Sequence, residues 1–188
     1  MTPHLAAKWI WIAFGAFWLV AAFVQKRTAR RQSAKSRLLQ VSILWIAFAP
    51  LFIAGRNFHL LHRHVFATPA PVQWAAVLLM VLGCGFAIWA RVVLGGNWSG
   101  TVTVKENHAL IIRGPYGWVR HPIYTGILLL LCGTAMMMGT LVMFIEVAAV
   151  TLALSLKIRA EESMMTETFG EQYISYRRRV KALLPFVI

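Results

Sequence analysis

Residues 113–126 read RGPYGWVRHPIYTG, and the 34 residues from Ile123 to Leu156 are almost purely apolar. A membrane anchor needs a few flanking charges and an aromatic ring or two. It does not need two prolines, two tyrosines, two arginines and a histidine at its mouth. These residue types can do chemistry. The aromatic faces of Tyr116, Trp118 and Tyr124 can stack on a base or face a cation such as a sulfonium. Arg120 suits a carboxylate. Pro122 biases His121 toward extended backbone, so its N–H and carbonyl are expected to stay free for a ligand. Non-helical backbone at membrane depth is tolerated where it is buried in protein or lines a cavity. The stretch therefore reads as a cavity wall.

A second polar cluster opens the tail, KIRAEESMMTETFGEQYISYRRRVKALLPFVI. The chain has six acids and no Asp, and four of the six fall between Glu161 and Glu171. Carboxylates there suit an ammonium or sulfonium group, while Lys157 and Arg159 suit a carboxylate. The plain structural alternative is Lys157–Glu161 pairing at i, i+4 and a helix lying on the membrane surface. Tyr173, Tyr176 and Val180 would share that helix's apolar face.

The elements that must position these residues are membrane spans. The chain of 188 residues is 59% hydrophobic and 13% charged, with a mean hydropathy of +0.66; soluble domains carry about 25% charged residues. Apolar stretches cover roughly 5–24, 38–54, 72–90 and 123–156. As one helix the last would be about 51 Å long, too much for a core about 30 Å thick. Gly139, in MMMGT at 136–140, can turn it back as a hairpin.

Charge supports this division. Segments 25–37, 91–122 and 157–188 carry six, four and six of the nineteen Lys/Arg, leaving Lys8, Arg56 and Arg63 opposite. The expected fold is an all-α integral membrane protein. It has five transmembrane helices, an outside N-terminus, and a C-terminal cytoplasmic amphipathic helix. Residues 1–90 would supply three N-terminal spans on the lipid side, and 91–188 the core with its hairpin and tail. Because the turn between spans four and five is short, the two are antiparallel neighbours. Tyr124 and Lys157 then meet at one cytoplasmic end.

The net charge of +13 does not indicate nucleic acid, since no soluble basic domain remains outside the spans. It suits a bilayer with anionic headgroups, above all along KRTARRQSAKSR at 26–37. Cys84 and Cys132 read as small core residues, and no metal site is expected. HLLHRH at 59–64 reads as an interfacial loop, including His59, His62 and His64. The first 25 residues read as a retained span, and GCG at 83–85 as a close helix contact. Glu146, an acid inside a span, is expected to face a substrate cavity or hydrogen-bond a neighbouring helix.

GPYGWVRHPIYTG, followed by a hydrophobic hairpin and then EE, FGEQYISYRRRV and LP, resembles the isoprenylcysteine carboxyl methyltransferase family. Membrane phospholipid methyltransferases are its wider relatives. The resemblance covers roughly residues 91–186; the first 90 match as generic spans. It implies methyl transfer from S-adenosyl-L-methionine to a lipid or lipidated acceptor, most simply an isoprenylcysteine-like carboxylate. His108, Leu110 and Ile111 would line the cofactor, followed by Tyr116. His121, Pro122, Ile123 and Tyr124 would cradle it, and Glu161 would hold its polar end. Lys157 or Arg159 would supply the basic residue that precedes the glutamates, and Glu162 a further contact to cofactor or substrate. A bacterial cytoplasmic membrane is favoured over the endoplasmic reticulum.

A carboxylate acceptor is ionised at neutral pH and needs no general base. A water-poor pocket favours a step that destroys charge, and alignment supplies most of the rest. An amine acceptor would need Glu162 or His121 as base. The alternatives are a phospholipid or amine N-methyltransferase, an NADPH-dependent membrane reductase, and a non-enzymatic scaffold. Sterol reductases resemble the C-terminal half but have more spans.

Overall fold

The computed structural model describes residues 1–23, 28–31, 63–97, 103–105 and 110–184. The expected second span, His59, His62, His108 and most of the 26–37 basic run lie outside them. Five helices are described: α1 (Pro3–Ala21), α2 (Ala70–Leu94), α3 (Pro122–Met138), α4 (Leu141–Phe169) and α5 (Glu171–Arg179). Helices α1, α2 and α4 are long and apolar enough to cross a membrane, and α3 is a shorter apolar helix. Side chains such as Leu19, Leu78, Leu82 and Leu152 point outward fully enough to meet lipid. The chain is an integral membrane bundle.

Local sequence sets the helix ends. Thr2 caps α1, its hydroxyl accepting the Leu5 N–H at 3.3 Å, with Pro3 in the first turn. Pro122 opens α3, where its missing N–H costs nothing. Gly139 closes α3 in the left-handed region at φ 63°, a conformation glycine adopts without a Cβ clash. Its N–H reaches the Ala135 carbonyl at 2.8 Å, and α4 begins two residues later. The hairpin divides where the sequence placed the turn. Residues 63–65 bind across it, through Val65 N–H to Gly139 O at 2.7 Å and Leu141 N–H to Arg63 O at 3.1 Å.

Small residues bring α2 and α3 close together. A Cβ added at Gly126 would lie 2.5 Å from the Gly83 carbonyl oxygen and 2.7 Å from Ala87 Cβ. Gly133 meets Met80 and the Ala76 carbonyl in the same way. Without a hydrophobic drive between helices in lipid, such close packing is what holds them together. In the GCG triplet, Gly83 lies in this seam, whereas Gly85 faces open space. Helix α1 joins the core through Ala6, Ala7 and Phe14. Its Trp11 Nε1 donates to Thr134 Oγ1 at 3.1 Å.

Three features depart from the sequence reading. A short antiparallel ribbon, β1 (Thr28–Arg31) with β2 (Thr103–Lys105), adds strand pairing to an expected all-α fold. Pairing between such distant segments leaves no local period to read. Helix α2 continues past Ala90 to Leu94, so Arg91 is a buried helical residue and not a loop charge. Its guanidinium donates to Gly95 O and Ala21 O, each at 2.7 Å, so one cation serves the carbonyl ends of two helices. Glu146 is fully buried, and neither carboxylate oxygen has a hydrogen-bond partner among the described residues. The expected bond to a neighbouring helix is not made there.

Candidate active site

The site lies where the entry to α3 meets the polar end of α4. A 3₁₀ turn at Gly114–Gly117 starts from Gly114 at φ 61° and packs on Val93 and Trp89 of α2. It buries Tyr116 in a cluster with Ala90 and Ile123, against which Ile111 and Tyr124 pack. Burial, with Tyr176 and Glu161 nearby, pushes the Tyr116 hydroxyl above its ordinary range. Leu110 and Ile111 are half-buried at the start of this turn, and Pro122 is fully buried.

The backbone of His121 is not free, contrary to expectation. Its N–H donates to Ala182 O at 3.0 Å, and its carbonyl accepts the Thr125 N–H at 3.0 Å. Arg120 N–H donates to Lys181 O at 2.8 Å, and Thr125 Oγ1 to Leu183 O at 2.8 Å. The tail after α5 thus lies along 119–121, with Val119 bridged parallel to Lys181. The expected apolar face of α5 is likewise turned into the protein. Tyr173 and Tyr176 are buried, and Tyr176 OH donates to Tyr116 O at 2.6 Å. Protein, not bilayer, covers these rings.

The paired glutamates divide the site into two branches. On the first, Tyr124 OH donates to Glu161 Oε1 at 2.6 Å. The His121 ring stacks on Tyr124 with centroids 5.6 Å apart and planes at 2°, and its Nδ1 lies 3.5 Å from Glu161 Oε2. Lys157 Nζ sits 5.3 Å from the Tyr124 ring centroid. On the second branch, Glu162 Oε1 accepts from Arg120 Nη2 at 2.6 Å and Nε at 2.7 Å, and Oε2 meets Arg177 Nε at 3.2 Å. Arg120 also donates to the carbonyls of Arg177 and Val180. His121 bridges the branches, with Nε2 3.2 Å from Glu162 Oε1. Burial opposes protonation of His121, but hydrogen bonds to Glu161 and Glu162 and their charges outweigh it and raise its pKa.

Lys157 and Arg159 lie on different sides of α4. Lys157 shares the Tyr124 side with Glu161. Arg159 lines an open cavity of about 390 Å³ with Glu162, Ser163, Thr166, Glu167 and Arg177. The structure therefore gathers Tyr116, His121, Ile123, Tyr124, Lys157, Glu161 and Glu162, and separates Arg159 from the Tyr124 ring. His108 lies outside the described residues. Sequence reasoning missed Arg177 and Thr125, although Arg177 lies within the FGEQYISYRRRV stretch. No cluster able to hold a metal ion occurs among the described residues.

Residues 76–167 match the model of the isoprenylcysteine carboxyl methyltransferase (ICMT) family. The chain is 32% identical over 121 residues to the protein-S-isoprenylcysteine O-methyltransferase of Schizosaccharomyces pombe, covering 61% of this chain and 50% of that one. It is 30% identical over 127 residues to the Homo sapiens protein of the same name, covering 62% and 43%. The chain thus spans about half the length of the curated relatives it matches. In fold it is similar to the eukaryotic intramembrane Ras methyltransferase ICMT, with a TM-score of 0.57 and 23% identity over 83% of this chain and 54% of that one. The segment that carries the paired glutamates and the entry to α3 is thus the part of the chain that is similar to the isoprenylcysteine carboxyl methyltransferase family.

Proposed function

We propose that the chain transfers a methyl group from S-adenosyl-L-methionine to the carboxylate of a membrane-borne, isoprenylcysteine-like acceptor. The observation that carries this is the Tyr124–Glu161 pair with an ammonium already over the ring. An aromatic face beside a carboxylate is a cation site, and the Lys157 ammonium stands where a sulfonium would. The residues present therefore fit the donor. When bound, the sulfonium supplies a methyl group: a carboxylate lone pair forms the O–CH₃ bond, and the S–CH₃ electrons return to sulfur, leaving an ester and a neutral thioether. No proton moves in this step.

The chain's own residues bind, orient and exclude water. Tyr124 and Glu161 hold the positive part of the donor, and His121 fixes the Tyr124 plane by stacking. Tyr116, Pro122, Ile123, Ile111 and Leu110 form the apolar wall. Lys157 is the cation on the donor side and the better candidate to meet the acceptor carboxylate. Arg159 faces water and has a weaker claim. Glu162, pinned by Arg120 and Arg177, sets the geometry of His121. With Oε1 accepting from Arg120 and Oε2 meeting Arg177, its oxygens are already engaged and it is poorly placed to take a proton, which favours a carboxylate acceptor over an amine.

Residues 1–90 would contribute three spans, including the one outside the described residues, and residues 91–188 the donor site. Five spans with the N-terminus outside would put this site at the cytoplasmic face, against anionic headgroups. Adjacency of the 28–31 and 103–105 segments in the ribbon supports placing those two basic loops on one side.

The test is methylation by the detergent-purified protein with labelled S-adenosylmethionine. An S-prenyl cysteine free acid would be compared with its amide and with phosphatidylethanolamine. A base-labile methyl on the acid alone, reduced at least tenfold in Glu161→Gln, is the expected result. Label on the amine lipid alone, or on nothing, would overturn the proposal.

A further inference from the structure

The side chain over Tyr124 is itself a cation, and two cations cannot share that place. Lys157 Nζ lies 5.3 Å from the ring centroid. Its charge acts on Glu161 from one helical turn earlier, and Glu161 accepts the Tyr124 hydroxyl at 2.6 Å. Ring face, carboxylate and ammonium thus lie together at one corner of the site, with His121 Nδ1 3.5 Å from Glu161 Oε2. We infer that Lys157 is a resident cation that occupies the donor's charge subsite and must leave the Tyr124 face before a positively charged donor can take it. The inference rests on the donor reading above and adds to it a discrimination by ligand charge.

The physical consequence follows from Coulomb repulsion at close range, which is far stronger in a buried site than in water. A cationic donor must displace the ammonium from the ring, whereas a neutral thioether of the same shape need only fit beside it. Lys157 therefore weakens binding of the cationic donor relative to the neutral product. Once moved aside, the ammonium is free to turn toward an anionic acceptor, an arrangement available only with donor in place. After transfer the sulfur is neutral, and Lys157 can return to the ring as product leaves. The lysine couples the charge state of the ligand to the site's own electrostatics.

The test is binding, not turnover. Calorimetry on the detergent-purified protein would give Kd for S-adenosylmethionine, for its stable cationic amine analogue sinefungin, and for neutral S-adenosylhomocysteine. Lys157→Met should tighten both cationic ligands relative to the neutral one by about 5- to 30-fold. Lys157→Arg, which keeps the charge, should leave the ratio near the wild-type value. If Lys157→Met does not fold, Lys157→Gln gives the same comparison. Equal changes for cationic and neutral ligands, or no change in the ratio, would overturn the inference while leaving the donor site standing. A wild-type protein that binds none of the three would overturn the donor reading itself, and this inference with it.

Discussion

Replacing Gly126 by alanine should loosen the bundle at the seam that holds the site. The added Cβ would lie 2.5 Å from the Gly83 carbonyl oxygen, where ordinary contact begins at 3.4 Å, a shortfall of 0.9 Å. The Ala87 nitrogen and Cβ stand nearly as close, each at 2.7 Å. No rotamer change can relieve contacts to backbone, so α2 and α3 must move apart. Overpacking of this kind costs about 1–3 kcal/mol. For a chain of this size, each kcal/mol lowers Tm by about 2–4 °C, which gives a fall of about 2–12 °C. Tyr124 is two residues from Gly126. A comparable displacement there would carry its 2.6 Å bond to Glu161 to the limit of hydrogen bonding. Intrinsic fluorescence from the eight tryptophans reports the melt in detergent. Gly85→Ala is the control, since nothing lies within 4 Å of its Cβ. It should hold or raise Tm, because alanine favours helix by up to about 1 kcal/mol. Identical melts for the two variants would refute the seam argument.

Three further outcomes are expected. The pKa of His121 is raised by Glu161 and Glu162, so its protonated form stabilises the fold. That stability is fully present below its ordinary value of about 6.5 and is lost as pH rises through the higher folded value. His121→Gln should flatten the fall in Tm across that window, and an unchanged slope would assign the pH dependence elsewhere. Tyr176→Phe removes the buried 2.6 Å bond to the Tyr116 carbonyl; it should cost about 1–2 kcal/mol, and an unaltered Tm would contradict that. Glu146→Leu replaces a fully buried carboxylate unpartnered among the described residues. It should hold or raise Tm, whereas a drop of several degrees would reveal a partner elsewhere in the chain.

Much of the site was legible because its parts are local or forced together by short connections. Gly139 marked the hairpin turn, and the turn's brevity alone required Tyr124 to meet the Lys157–Glu161 end of α4. The structure puts Tyr124 OH 2.6 Å from Glu161. What the sequence did not disclose depends on distant contacts. Pro122 did keep His121 out of the helix, but the bias says nothing of which acceptor its N–H finds, and the tail supplies Ala182. The spacing of Tyr173 and Tyr176 announced one apolar face, yet periodicity is the same for a face on lipid and a face on protein. Arg91 looked like a loop charge because its partners, Ala21 and Gly95 carbonyls, appear only once α1 and α2 are packed. The ribbon of 28–31 with 103–105 has no local signature for the same reason.

The central claim is that the Tyr124–Glu161 corner is part of an S-adenosylmethionine site. It is tested most directly by titration calorimetry with S-adenosylhomocysteine and, separately, with NADPH. Wild type, Tyr124→Ala and Glu161→Ala would be compared. The account predicts micromolar S-adenosylhomocysteine binding to wild type, lost in both variants, and no heat with NADPH. Binding of NADPH alone, or of S-adenosylhomocysteine undiminished by either substitution, would contradict it.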